Sequence, residues 1–430
     1  MKRRTLAEWL ELQQSVHARG IDLELSRVAR VAERLGVSRP SCPVVTVGGT
    51  NGKGSVVAFL EAIARSAGVT PGVFTSPHLV RYNERVRIDG TEATDDELID
   101  AFERIEAARG EITLTYFEYN TLAALLVFAQ RRTGLVVLEV GLGGRLDSTN
   151  IIDSDVAVVC SIGFDHRDWL GDTLEQIGRE KAGIFRAGRP AVLGSPDMPT
   201  SVFAAIRTLG AIPVVAERDF TWQPVQVSDT AIQAFSGRWR FKGERLVLED
   251  LPAPALPGSI QYRNAATALA AAERLPAAAG LHFRNVAEAL RKVSLPGRMQ
   301  VVPGPVEWIL DVAHNEPAAR TLATHLTERP CAGRTIAVAS ILEDKDAAAI
   351  GAALSPVVDQ WFICTLAEPR GLTAAALQSR LGLPPEKVAL AASVAEGCEK
   401  ARALAKPGDR VVACGSFLVV GAALQWLGLY

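Results

Sequence analysis

Residues 44–55 read VVTVGGTNGKGS, and this stretch decides the fold. Val44, Val45 and Val47 predict a short buried strand. Glycines 48, 49, 52 and 54 then let the backbone turn tightly and expose several N–H groups. From Val56 the apolar positions Phe59, Leu60, Ile63 and Ala67 fall on one face of a helix. Strand, glycine loop, lysine, hydroxyl and helix together make a phosphate cradle, in which N–H groups and the helix dipole hold the anion. Lys53 neutralises phosphate charge and Ser55 reaches toward a magnesium ion. The ordinary P-loop spells Gly-Lys-Ser/Thr without a break, whereas here Gly54 separates Lys53 from Ser55. A glycine loop alone could equally be a tight turn in a core; the strand before it and the helix after it favour phosphate.

Working outward, further strands are predicted at Gly72–Ser76, Leu135–Val140, Val156–Ile162 and Ala191–Gly194. Between them lie a helix opened by a Thr94/Glu97 capping box, one near 120–132 preceded by a loop from Glu111 to Tyr119, and one over 171–185. Residues 5–35 read as helical with an interruption near Gly20–Leu23. Strands alternating with helices predict a doubly wound, mostly parallel sheet, with ligands at the carboxyl ends of its strands. Residues 212–250 are rich in short β-like pieces and predict a small side sheet. Alanine-rich helix returns at 262–280. The proline- and glycine-bearing segment 294–305 reads as a linker. Beyond it strands at Trp308–Val312, Thr335–Ser340, Trp361–Thr365 and Arg410–Cys414 predict a second, Rossmann-like α/β domain. The expected division is 1–296 and 297–430.

Composition narrows the class. With 430 residues, 48% hydrophobic and 22% charged, the chain is globular. A net charge of −2 with both signs interspersed gives no basic face for nucleic acid. The six cysteines are scattered, without the pairing of a disulfide or zinc framework, and fit a reduced cytoplasm. The N-terminal MKRRTLAEWLELQQ has no apolar run of a signal peptide. The charge-free stretch 411–430 is broken by glycines and reads as strand, loop and buried helix rather than a membrane span. No coiled coil or interface patch stands out, and a monomer is expected.

The site candidates sit at predicted strand ends. Glu139, inside the apolar LVVLEV, is a carboxylate that burial penalises unless it is paired or metal-bound. His166 follows Val156–Ile162 and is as fit for capping as for binding. With Ser55 and Ser76 these groups can form an oxygen-and-imidazole shell for magnesium. Arg145 and Asp147 in GGRLD lie at the ligand edge or pair with each other in a turn. Lys181 reads from spacing alone as a solvated helix lysine, and residues 344–346 as a solvated loop. In the second domain Asp311 and His314 end one strand and Ser416 ends the last. With the linker residue Arg298, two nucleotide-facing domains predict phosphoryl chemistry completed by closure. Transfer and ligation both remain open at this point.

The segments GTNGKGS, SPHLVRYNERVRIDG, LEVGLGGRLDSTN, DHRDWLGDTLEQIGREKAGIF, NAATALAA, LPGRMQ, LDVAHN and EDKD occur in the order that resembles the folylpolyglutamate synthase family of the Mur ligase superfamily, from about residue 21 to 417. The split Gly-Lys-Gly-Ser loop is normal for that group. The resemblance implies an ATP-dependent ligase. It joins L-glutamate to dihydropteroate or reduced folates through an acyl phosphate. Asn51, Gly52, Lys53, Gly54 and Ser55 would hold ATP, with Asn264, Arg298 and Asp311. Ser55, Ser76, Glu139 and His166 would surround magnesium. Lys181 matches a carbamylated lysine binding a second magnesium ion. Lys53, Lys181 and His314 would carry the chemistry, and His314 and Ser416 would meet the incoming glutamate. Asp22, Leu23, Glu24, Thr115, Tyr116, Phe117, Glu118, Leu146, Asp147 and Ser148 fall where bacterial members bind dihydropteroate. The sequence departs from the family pattern at Glu24, at Glu316 and at Leu418.

Other readings fit less. A peptidoglycan Mur enzyme carries a further domain before the loop, and only 47 residues precede Gly48. A nucleotide switch has no need of Glu139, His166 and Lys181 together, and a simple kinase no need of the second domain's glutamate-side motifs. A folylpolyglutamate synthase without the dihydropteroate activity stays as the nearer alternative.

Overall fold

The structure is a computed structural model describing residues 3–17, 22–224 and 237–430. Its first sheet has eight strands: β1 (Val44–Gly48), β2 (Pro71–Phe74), β3 (Val86–Ile88), β4 (Thr91–Glu92), β5 (Leu135–Glu139), β6 (Val156–Val159), β7 (Pro190–Leu193) and β8 (Ile212–Val215), in the order β4-β3-β2-β5-β1-β6-β7-β8. All pair in parallel except β3 and β4, which add antiparallel at one edge. Helices cover both faces, so β1 and β5 are buried throughout. Side chains alternate across β1: Val45 and Val47 enter one core and Val44 the other. With β5 on one side and β6 on the other, β1 lies where strand order reverses, and its carboxyl end opens into a crevice. Register places Glu139 opposite Val47, one residue before the glycine loop begins.

The helix Lys53–Ser66 packs against the helix Ile260–Glu273. Ala265, Ala266, Ala268, Ala270 and Ala271 are fully buried there. Their small side chains let the two helices approach closely, which carries Asn264 to the glycine loop.

The side sheet is antiparallel, β9 (Thr221–Pro224), β10 (Trp239–Lys242) and β11 (Val247–Leu251), with β10 in the middle. Trp239 Nε1 ties it to the Pro252 carbonyl at 2.7 Å. The second α/β unit has β12 (Gln300–Val302), β13 (Glu307–Asp311), β14 (Thr335–Ala339), β15 (Gln360–Cys364), β16 (Val388–Ala391) and β17 (Arg410–Cys414), in the order β12-β13-β17-β14-β15-β16. Only β12 runs antiparallel.

Several expectations change. The segment Ile212–Val215 is not part of the side sheet but the last parallel strand of the main sheet. Its β-branched residues suit either place, and pairing with β7 decides. The segment read as a linker contributes β12, whose Gln300–Val302 extends the second sheet. The loop expected up to Tyr119 ends earlier: Thr115 caps a helix Tyr116–Arg131 through a capping box with Glu118. The interruption in the first helical stretch separates Leu6–Val16 from Ser26–Leu35, and Gly20 lies outside the described residues. The end of the chain is the strand β17 and a helix Phe417–Trp426. Among the described residues no helix is long and apolar enough to cross a membrane.

Candidate active site

Apart from Arg145, the residues named from the sequence for ATP, metal, pterin and glutamate line one cleft of about 910 Å³ between the two α/β units. At its floor Gly52, at φ 91°, turns the chain into the helix Lys53–Ser66, and a Cβ there would lie 3.0 Å from Asn264 Oδ1. No side chain caps this helix, so its first N–H groups point at the cleft. The loop is stapled to the end of β6. Asn51 N–H donates to Ser161 Oγ at 3.1 Å, and Ser161 Oγ donates to the Asn51 carbonyl at 3.0 Å. The Gly49 carbonyl accepts from Lys53 Nζ at 3.1 Å and from Lys181 Nζ at 3.0 Å.

Two ammonium groups on one carbonyl repel. Lys181 is buried, and burial together with Lys53 lowers its amine from 10.5 to about 7, against the opposing pull of Asp165, Asp147 and Cys160. The reading of Lys181 as a solvated helix lysine is therefore corrected: the last turn of the helix Leu174–Ala182 aims it inward. His166 is also pushed down, to about 4, by burial and by Lys345, Lys181 and Lys53, with Asp165 opposing. Its imidazole is neutral at pH 7, and Nε2 lies 3.4 Å from Lys345 Nζ.

Glu139 ends β5 with its carboxylate buried, and its Oε2 accepts from Ser76 N–H at 3.2 Å. Burial raises its pKa, while Lys53, Arg298, the Ser76 N–H and Arg87 oppose the rise. Ser55 and Ser76 add hydroxyl oxygens from the next helix and the β2 end, a hard donor set that suits a divalent cation. Among the described residues no group of three or more His, Cys, Asp or Glu side chains is placed to hold a metal ion by itself. His166 lines the same cleft as Glu139, and its Nε2 lies 3.9 Å from Asp165 Oδ1.

That unit supplies the facing wall. Asp311 accepts N–H bonds from Met299 and Ala313, at 2.8 and 2.9 Å. Arg298 stacks on Phe417 at 4.9 Å, beside Gly54. His314 Nδ1 lies 2.8 Å from the Val312 carbonyl. Ser416 caps the helix Phe417–Trp426, accepting from Val419 N–H at 3.2 Å, which leaves its own proton free to donate.

At the far end Asp22, Glu24 and Glu118 converge on Arg27, at 3.1, 3.0 and 3.3 Å. Arg85, buried, stacks on Tyr82 and Tyr116 and donates from Nε to His78 Nδ1 at 2.8 Å. Asp147 does not pair with Arg145. Its oxygens accept the N–H groups of Gly141, Leu142 and Thr149, while Arg145 bonds Glu180. Asp147 thus shapes the loop that carries Leu146 and Ser148. Of the departures from the family pattern, Glu24 joins the Arg27 cluster, Glu316 pairs with Arg320, and Leu418 leaves an apolar stretch on the cleft wall.

Sequence reasoning passed over Asp165, Lys345, Asn315 and Arg85. The loop at 344–346 is not wholly solvated: the Lys345 side chain is 5% exposed and its Nζ bonds Asp165 at 2.5 Å. Burial raises the Asp165 carboxyl, but His314, His166 and Lys345 outweigh it and hold the group well below the carboxylate range. The DVAHNEP run did carry a signal for Asn315, since a polar residue before Glu-Pro is a helix cap.

Fold and site are those of an ATP-dependent ligase of the Mur ligase group: residues 47–198 match the Mur ligase middle domain and 297–417 the Mur ligase glutamate ligase domain. The chain is 45% identical over 422 residues to the dihydrofolate synthase/folylpolyglutamate synthase of Escherichia coli K12, covering 98% of this chain and 95% of that one. It superposes on Escherichia coli FolC in complex with DHPP and ADP with a TM-score of 0.91 at 44% identity, covering 99% and 98% of the two chains. A bifunctional folylpolyglutamate synthase/dihydrofolate synthase with Mn, AMPPNP and L-glutamate bound gives 0.89 at 43%, again covering 99% and 98%. The chain belongs to the dihydrofolate synthase/folylpolyglutamate synthase family.

Proposed function

We infer that the cleft performs ATP-dependent glutamate ligation in folate synthesis, activating the carboxylate of dihydropteroate, and of reduced folates, for attack by L-glutamate. The observation that carries this reading is the meeting, in one cleft, of the glycine-loop helix start, the buried Glu139 and the second unit's Arg298. A carboxylate does not acylate an amine at neutral pH. Its oxygen attacks the γ-phosphorus of ATP, ADP leaves, and an acyl phosphate forms. The glutamate amine then adds to the acyl carbon, and the tetrahedral intermediate expels phosphate and closes the amide.

The chain's residues divide this work. Asn51–Ser55 and Lys53 grip the triphosphate, Asn264 and Asp311 the nucleoside, and Arg298 the phosphate charge from across the cleft. Ser55, Ser76, Glu139 and His166 would hold one magnesium ion, and Lys181 a second. Bound metal shields the repulsion between the attacking carboxylate and the γ-phosphate. Lys181 takes part as a carbamate, formed when its neutral amine adds to carbon dioxide and a proton leaves. Support comes from its lowered pKa, from the second ammonium on Gly49's carbonyl, and from the neutral imidazole of His166. His314 and Ser416 receive the glutamate. The acidic Asp22–Glu24 end, with Thr115–Glu118 and Leu146–Ser148, takes the pterin, whose ring N–H groups seek carboxylates. The domain boundary falls at 296/297. A cytoplasmic monomer binding neither nucleic acid nor membrane completes the reading, supported by the near-neutral charge and six unpaired cysteines.

Phosphate release from magnesium-ATP and glutamate is the test, run with dihydropteroate and separately with tetrahydrofolate. Release with both is expected. Release with tetrahydrofolate alone would reduce the activity to folylpolyglutamate synthesis.

A further inference from the structure

The loop after β6 holds a carboxylate for which the reaction has so far given no task. The Asp165 side chain is 8% exposed, and three side chains of the second α/β unit converge on it. Lys345 Nζ donates to Oδ1 at 2.5 Å, Asn315 Nδ2 donates to Oδ2 at 2.9 Å, and His314 Nε2 lies 3.5 Å from Oδ2. Asn315 also exchanges amide hydrogen bonds with Asn51 of the glycine loop, at 3.0 and 3.1 Å. Its own oxygen caps the helix Glu316–Glu328. The phosphate loop, the Asp165 loop and the first turn of that helix therefore form one connected network. Lys345 has a second carboxylate, Asp344, at 3.6 Å, but Asp344 is engaged by Arg370. A buried ammonium needs a close partner; Asp165 is the carboxylate at hydrogen-bonding distance, with the neighbouring His166 Nε2 at 3.4 Å.

We propose that Asp165 is a positioning residue for the ligation: it docks the second unit, through Lys345 and Asn315, in register with the glycine loop. The proposal rests on the ligase reading. Two substrates enter from opposite walls, and the nucleophile must arrive within bonding reach of an acyl phosphate made at the other wall. Displacement by about 1 Å in such a geometry costs on the order of a hundredfold in rate. Asp165 sets that distance without touching either reacting atom.

The experiment uses the full chain with Asp165→Asn, which keeps the shape, Lys345→Met, which approaches the contact from the other side, and the double variant. Each is measured for kcat and glutamate KM, for affinity toward magnesium and a non-hydrolysable ATP analogue, for Tm, and for radius of gyration with the analogue bound. Each single variant is expected to lose roughly ten- to a hundredfold in kcat. Nucleotide affinity should stay within about threefold, and the radius of gyration should exceed that of the unaltered chain. The double variant should lose no more than the worse single one, because both break the same contact. Wild-type kcat in Asp165→Asn would overturn the proposal, as would losses that multiply in the double variant or a radius of gyration that does not change. An unaltered chain that fails to turn over glutamate would count against the ligase reading instead.

Discussion

Replacing Lys181 by methionine should make the protein more stable and inactive at once. The ammonium of Lys181 is buried and shares the Gly49 carbonyl with Lys53. Its amine falls from 10.5 to about 7, chiefly through burial. At about 1.4 kcal/mol per pH unit, that corresponds to roughly 5 kcal/mol against the charged form. Methionine matches the chain length without the charge, and the lost hydrogen bond offsets about 1 kcal/mol. The sign follows from proton counts. Below pH 7 the amine is protonated both folded and unfolded, so the penalty is complete. Between about 7 and 10.5 only the unfolded chain keeps the proton, so stability rises with pH and the penalty fades. Lys181→Met should therefore exceed the wild type by roughly 2–4 kcal/mol at pH 6, and the gap should close toward pH 10. Urea unfolding in buffer free of carbon dioxide measures it, alongside phosphate release at pH 8. A variant less stable at pH 6, or a gap that ignores pH, would refute the electrostatic argument. Retained turnover would refute the carbamate role.

Three further outcomes are expected. Gly52→Ala forces a side chain to φ 91° and sets its Cβ 3.0 Å from Asn264. It should cost about 1–2 kcal/mol in unfolding free energy and weaken ATP-analogue binding by calorimetry. Glu139→Gln removes a buried charge yet keeps the shape. Stability should hold within about 1 kcal/mol, while magnesium-dependent phosphate release falls at least about a hundredfold. Arg27→Met leaves Asp22, Glu24 and Glu118 without their shared cation, and should raise the dihydropteroate KM roughly tenfold or more with the ATP KM unchanged.

What the sequence discloses follows how local each cause is. The β1 valines, the glycines and the apolar face after Val56 are set within a dozen residues, so strand, loop and helix are legible. Glu139 is legible for the same reason, as a charge inside an apolar strand. The helix start at Thr115 was open to reading too, because Thr115 and Glu118 form a capping box, but the aromatic Tyr116 and Phe117 resemble a strand or loop. Ile212–Val215 joins whichever sheet offers an edge, which only the chain's path decides. Lys181 and Lys345 are illegible in a stronger sense. Each sits in a charged, polar run, and each is buried by packing against residues more than 100 positions away. Asp165 shares that limit. It is the carboxylate beside a histidine that attracted attention, and its partners come from the other half of the chain.

The alanines of the helix Ile260–Glu273 act as spacers. Their methyl groups fix how far Asn264 stands from Gly52, so the width of the nucleotide slot is written in residues that never meet a nucleotide. Lengthening one of them to valine would move the wall rather than change its chemistry. Drift in ATP affinity between related sequences can therefore originate a helix turn or two away from the phosphate loop, where a survey of binding residues would not look.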